Sequence, residues 1–205
     1  MASAITRMVR SLSSASPTIP EGAEKATVAA GCFWGVEHIY RKHFGNGNGL
    51  LDAAVGYTGG DVSHPSYKNV CSGSTGPQRF AFLLANEIKD AEALQIIFDP
   101  KKVSYRQIIE FFYKIHDPTT PDRQGPDVGT QYRSAIFFHT PEQEKIASEV
   151  TKTAGENWWK RPLATQILPA GQWWNAEDYH QLYLENNPSG YECPTHFLRV
   201  FPSDN

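Results

Sequence analysis

The run Gly31-Cys32-Phe33-Trp34-Gly35 constrains the fold most, because it joins two segments of different hydrophobic period. Upstream, Ala26 to Ala30 reads as a short buried strand; downstream, Val36, Ile39, Tyr40, His43 and Phe44 recur at helical spacing. The run is therefore a strand-to-helix turn that sets one thiol where a helix begins. The first N–H groups of a helix lack intrahelical acceptors and carry partial positive charge, so an anion there is stabilised and a thiol pKa falls. Two readings fit Cys32 taken alone: a reactive thiolate, and a buried cysteine that packs against Phe33 and Trp34. Its partner residues must decide.

The rest of the chain alternates between the two periods. Gly45-Asn46-Gly47-Asn48-Gly49 stops the first helix, since Gly and Asn accept positive φ at little cost. Leu50 to Val55 predicts a strand, and Gly56 to Ser74 a long loop of the kind that carries function. Ala93 to Phe98 predicts another strand, after which Ser104 and Gln107 form a capping box for a helix burying Ile108, Ile109, Phe112 and Ile115. Arg133 to Phe138 reads as a strand, and Thr140, Pro141 and Gln143 supply an N-cap, an N1 proline and a capping-box partner for a helix running to about Asn157. A short strand near Ala164 to Leu168 leads to Asn175, which is expected to cap a last helix ending by Asn186, because Asn187-Pro188-Ser189-Gly190 cannot continue it. Strands and helices separated by long loops predict an α+β fold, a single two-layer domain with a mixed β-sheet, flanking helices and an irregular C-terminal tail, over residues 25–205. The pattern leaves strand order open.

A chain of 205 residues with 40% hydrophobic content buries one sizeable core. Its net charge of −3 and scattered basic residues argue against a nucleic-acid partner, and no apolar run is long enough to span a bilayer. Three cysteines, Cys32, Cys71 and Cys193, make no secreted disulfide framework, and with neither a C-x-x-C pair nor an H-E-x-x-H pair no metal site and no cofactor are expected. A reducing, cytoplasmic setting fits. Residues 1–24 form a flexible segment by composition: Met1 to Pro20 is basic, Ser-rich and free of acidic residues, like a mitochondrial targeting peptide and like many disordered tails, so a mitochondrial location is the alternative.

Further runs recur in order: Gly56-Tyr57-Thr58-Gly59-Gly60, Tyr67-Lys68-Asn69-Val70-Cys71-Ser72-Gly73, His116-Asp117-Pro118, Gly125-Pro126-Asp127-Val128-Gly129-Thr130-Gln131-Tyr132-Arg133-Ser134 and Ala176-Glu177-Asp178-Tyr179-His180-Gln181. Together with the Cys32 run they resemble the A-type peptide methionine sulfoxide reductases, from Thr27 to about Leu198. The resemblance implies a thioredoxin-dependent enzyme, expected as a monomer, that reduces the S epimer of methionine sulfoxide, free or in oxidised proteins. It implies attack by Cys32 on the sulfoxide sulfur, a methyl pocket walled by Phe33 and Trp34, and an oxygen surrounded by Tyr57, Tyr132 and Asp127. The sulfenic acid left on Cys32 would condense with a second thiol. Cys193, in Gly190-Tyr191-Glu192-Cys193-Pro194, is favoured over Cys71 because a flexible tail could swing it over the site.

Two departures from the family pattern stand out. Asn69 occupies a place where a carboxylate is expected to supply the proton, which leaves Glu37, a tyrosine or water as candidates. Pro77 to Lys89 is inserted before Asp90-Ala91-Glu92, where Asp90 replaces a histidine. Two other classes compete: a cysteine hydrolase or transferase using His38, His116 or His180, and a redox-inactive binding module. Neither needs Cys193.

Overall fold

The computed structural model describes residues 19–60, 65–67, 70 and 89–202. Strands β1 (Glu24–Ala30), β2 (Leu50–Thr58), β3 (Ala91–Phe98), β6 (Ser134–Phe138), β7 (Gln166–Pro169) and β8 (Trp174–Asn175) form a six-stranded sheet in the order β7-β6-β1-β3-β2-β8. A separate two-stranded hairpin pairs β4 (Arg123–Gln124) with β5 (Asp127–Val128). All neighbours in the large sheet are antiparallel except β6 and β7. Parallel strands need a crossover longer than a hairpin turn, and the helix Pro141–Thr153 lies within it.

The helices are α1 (Phe33–Phe44), α2 (Tyr105–Ile115), α3 (Pro141–Thr153) and the single turn α4 (Tyr183–Asn186). Ala26, Val28 and Ala30 of β1, Leu94, Ile96 and Phe98 of β3 and Ile136 of β6 share one core with Val36, Tyr40, Ile109, Phe112 and Val150 from the first three helices. The opposite face, with Ala29, Ala93 and Phe137, is covered by Leu168 and Trp173. Helices packed on one face give the expected two-layer α+β domain. Ser104 accepts from the Gln107 N–H while Gln107 reaches back, so the capping box of α2 forms. No helix among the described residues is long and apolar enough to cross a membrane.

Several boundaries differ from the sequence expectation. β2 continues through Gly56-Tyr57-Thr58, expected in the following loop, because these residues pair with Ala93, Glu92 and Ala91 of an equally lengthened β3. Thr140 caps α3 as expected, but the Gln143 carboxamide accepts from His139 N–H and donates to the Lys25 carbonyl, so the reciprocal half of the capping box is missing. Past Thr153 the coil widens into a π-helical stretch, Ala154–Trp159. Asn175 caps nothing: it pairs with Gly56, and its side-chain oxygen accepts from the Trp173 indole at 2.8 Å. The expected last helix is broken into a 3-10 turn (Asp178–His180) and α4 by Leu182, at φ 54°. Residues 1–18 of the N-terminal segment, Asn69, Cys71 and nearly all of the Pro77 to Lys89 insertion lie outside the described residues.

Candidate active site

The Cys32 turn is shaped by two glycines and by chain from elsewhere. Gly31 sits at φ +92°, where a Cβ would also lie 2.6 Å from the Gln124 side chain; at Gly35 a Cβ would lie 2.4 Å from the His196 ring. His196 in turn hydrogen-bonds the Ala30 carbonyl at 2.7 Å. The β4–β5 hairpin and the C-terminal segment therefore press directly on the turn that carries the thiol. Cys32 is the N-cap residue of α1 and 7% exposed.

Glu92 is the residue that sequence reading missed. It lies on β3 in alternation with Leu94, Ile96 and Phe98, all facing the helices, so its side chain emerges beneath the start of α1. There it is 1% exposed and accepts the Phe33 backbone N–H at 3.2 Å. Burial is the main reason its carboxyl is pushed up to about 8, with Asp127 adding to the shift and the Phe33 N–H opposing it. At neutral pH Glu92 is a carboxylic acid.

The same environment corrects the expectation of a resting thiolate. Burial first, and the Glu92 charge second, push the Cys32 thiol above the usual cysteine range, against a smaller pull from the Trp34 N–H. A helix N-terminus offers at most about 2 kcal/mol to an anion, whereas full burial can move a pKa by as much as about 3–5 units. Desolvation wins, and Cys32 rests as a thiol.

The structure brings Phe33, Trp34, Tyr57 and Asp127 to this pair, with changes of role. Phe33 is buried, its ring 5.9 Å from that of Tyr57 and 5.2 Å from that of His180. Trp34 is half-buried, stacks on Tyr183 at 3.7 Å and donates its indole N–H to His180 Nδ1. Tyr132 closes a 3-10 turn, half-buried, while Asp127 on β5 is near enough to oppose ionisation of both Cys32 and Glu92. Tyr57 departs from its expected role. It lies opposite Glu92 on the sheet, but its hydroxyl donates to Glu177 Oε2 at 2.9 Å, so that donor is already engaged. Glu177 also accepts the Tyr67 N–H at 3.0 Å, and the Tyr67 ring lies 4.6 Å from His180. Tyr67 and Glu177 thus extend the aromatic wall from two motifs whose individual roles the sequence left unassigned. Asp90 is buried and accepts from Gly60 N–H.

Glu37 is corrected as a proton source. Its two carboxylate oxygens are engaged, one by Arg41 Nε at 3.0 Å and the other by the N–H of Leu182 at 2.8 Å. It ties α1 to the left-handed residue before α4. Glu37→Ala is expected to lower unfolding stability by about 1–3 kcal/mol, since Arg41 and the Leu182 N–H lose a charged partner, while folded protein still forms methionine. Denaturant melts beside single-turnover assays check this, and loss of methionine formation by the folded variant would restore Glu37 to the chemistry.

Histidine activation of the thiol finds no support. His116 bonds the Phe112 carbonyl and the Ser134 hydroxyl through its two ring nitrogens, and burial lowers it to about 3. His180 accepts from Trp34 and faces Glu177 at 3.9 Å. Among the described residues no group of three His, Cys, Asp or Glu is arranged to hold a metal.

Cys193 is a free thiol, as is Cys32, but it is not on a loose tail. It is 1% exposed, with its sulfur 3.6 Å from the Gln124 carbonyl and 3.2 Å from Thr195 Oγ1. The segment lacks regular structure yet is seated on the hairpin. Its thiol is close enough to Cys32 that charge on either opposes charge on the other.

A family model described as peptide methionine sulfoxide reductase matches residues 24–200. The probable peptide methionine sulfoxide reductase of Schizosaccharomyces pombe is 51% identical over 175 residues, covering 85% of this chain and 95% of that protein. The reduced form of Mxr1 from Saccharomyces cerevisiae superposes with a TM-score of 0.78 at 41% identity, covering 92% of this chain and 100% of that one. Mxr1 in complex with Trx2 superposes with a TM-score of 0.58 at 28% identity, with the same coverage. Agreement in sequence and in fold over almost the whole described structure means that the chain belongs to the peptide methionine sulfoxide reductase family.

Proposed function

We propose that this methionine sulfoxide reductase acts on the S epimer, free or in proteins, with Cys32 as nucleophile, Glu92 as proton donor, Cys193 as resolving thiol and thioredoxin as reductant. The observation that carries the reading is the Glu92 carboxyl, buried under the same turn as Cys32 and bound to the Phe33 N–H, in surroundings that favour its protonated form. As the Cys32 sulfur attacks, negative charge builds on the sulfoxide oxygen, and a neutral acid can deliver the proton that the leaving methionine requires. The Cys32 thiol proton returns to Glu92, so the step turns thiol and sulfoxide into sulfenic acid and methionine without net proton uptake. Tyr132 and Tyr67 are the hydroxyls suited to assist at the oxygen, in place of Tyr57.

The arrangement also supports one-handed recognition. A sulfoxide sulfur bears methyl, oxygen and the side-chain carbon; with the methyl on Phe33 and Trp34 and the oxygen toward Glu92, one epimer alone directs the remaining chain to solvent. Apolar aromatic surface favours the methyl group.

Cys193 completes the cycle, since a sulfenic acid condenses with a neighbouring thiol to a disulfide that an external dithiol can reduce. The Trx2 complex of Mxr1 supports thioredoxin in that role. Cys193→Ser is expected to release about one methionine per enzyme and then stall with thioredoxin. Sustained thioredoxin-dependent turnover by this variant would remove Cys193 from the cycle, and equal consumption of the R epimer by wild type would remove the stereochemical part.

A further inference from the structure

The hairpin that presses on the Cys32 turn also encloses the second thiol. Gln124 and Asp127 are cross-strand partners on β4 and β5. The Gln124 carbonyl lies 3.6 Å from Cys193 Sγ, and a Cβ built on Gly125, between the two strands, would lie 3.5 Å from the same sulfur. From the other side Tyr191, two residues before Cys193, donates its hydroxyl to Asp127 Oδ1 at 2.8 Å. The carboxylate is thus tied to the Cys193 segment through the hairpin and through Tyr191. Its second oxygen, Oδ2, is buried and has no hydrogen-bond partner among the described residues. A buried carboxylate oxygen with free lone pairs next to the Cys193 thiol is placed to accept its proton.

We propose that Asp127 is the general base that takes the Cys193 proton in the disulfide-forming step, and that Tyr191 is the positioning residue that holds it there. This rests on Cys193 being the resolving thiol. In the step the Cys193 S–H proton passes to Asp127 Oδ2 as the Cys193 sulfur attacks the Cys32 sulfenic sulfur. The new S–S bond forms and the Cys32 S–O bond breaks. The departing hydroxide takes the proton of Glu92 and leaves as water; Asp127 then returns its proton to Glu92 or solvent. Cys193 is oxidised and the sulfenic sulfur reduced, with no further reagent. Thr195 has a matching part: its hydroxyl, 2.8 Å from Gln124 Oε1 and 3.2 Å from Cys193 Sγ, can turn its proton from the carboxamide to the sulfur as charge develops. Burial is the main reason the Cys193 thiol is raised, and Asp127 raises it further, so the thiol does not ionise by itself and needs a base in the transition state.

The test follows methionine release and disulfide formation separately in one quenched turnover, without reductant, using free methionine sulfoxide and mass spectrometry of the protein. In wild type the disulfide should follow methionine closely. Asp127→Asn should let the sulfenic acid accumulate, trappable by dimedone, with its conversion to disulfide slowed about a hundredfold. Tyr191→Phe, which keeps the ring and the carboxylate, should slow the same conversion roughly five- to tenfold, and Asp127→Glu should recover part of the loss. Conversion at the wild-type rate in Tyr191→Phe, or in an Asp127→Asn protein that has released methionine, overturns the proposal. If Asp127→Asn releases no methionine, Tyr191→Phe decides alone. A wild-type protein that releases methionine but never forms the Cys32–Cys193 disulfide fails the earlier reading instead.

Discussion

Glu92→Gln is expected to slow sulfenic acid formation in a single turnover by on the order of a hundredfold or more, the usual worth of a positioned general acid. The amide preserves shape and can donate a hydrogen bond to the sulfoxide oxygen, but it cannot release a proton. Above about pH 8 the substitution also removes the Glu92 charge that raises the Cys32 thiol, which favours attack there. That benefit is the smaller effect, because burial contributes more than Glu92 to the thiol shift and persists in the variant. The wild-type pH profile follows from the same group. Glu92 is held protonated up to about 8, so the rate should fall as pH rises through that value, where the acid is lost and its charge makes the thiol harder to ionise. In Glu92→Gln that decline should vanish. Rapid-quench rates between pH 6 and 10, as a rough working span around the shifted group, test both points, and a variant as fast as wild type would mean that the proton reaches the oxygen by another route.

Cys32→Ser is expected to abolish reduction altogether. A serine hydroxyl is a poor nucleophile without an activating base, and both ring nitrogens of His116 are already bonded while His180 serves Trp34. The replacement loses little packing at a site 7% exposed, so the fold should survive, with a thermal midpoint near that of wild type. Any measurable methionine formation by the purified, folded variant would remove Cys32 as the nucleophile.

The sequence disclosed what local periodicity controls. The strand before Cys32, the turn, α1 and the capped α2 follow from residues within a few positions of one another, and the helix-facing core follows from strand alternation. The site was less legible because its partners come from far away in the chain. Glu92 could have been found: with β3 begun at Ala91 instead of Ala93, alternation from Phe98, Ile96 and Leu94 puts Glu92 on the helix face. Tyr57 was misread for the same reason, since Gly56 to Thr58 belong to a strand whose pairing turns its hydroxyl to Glu177. The Glu37–Arg41 pair is visible as an i, i+4 spacing, but its second partner, Leu182, is 145 residues on. Cys193 lies in chain without regular structure, where no period reports burial, and its enclosure by the hairpin is set by tertiary contact alone.

The neutral, enclosed state of Cys32 bears on how the protein itself meets oxidants. Peroxides consume thiolates far faster than thiols, and exposed ones before enclosed ones. A thiol kept protonated beside Glu92 and almost out of solvent is a poor target for such oxidants. In the mechanism proposed above the thiol gives its proton to Glu92 only as Glu92 protonates a bound sulfoxide oxygen, so chemical danger and chemical usefulness are separated by the substrate itself.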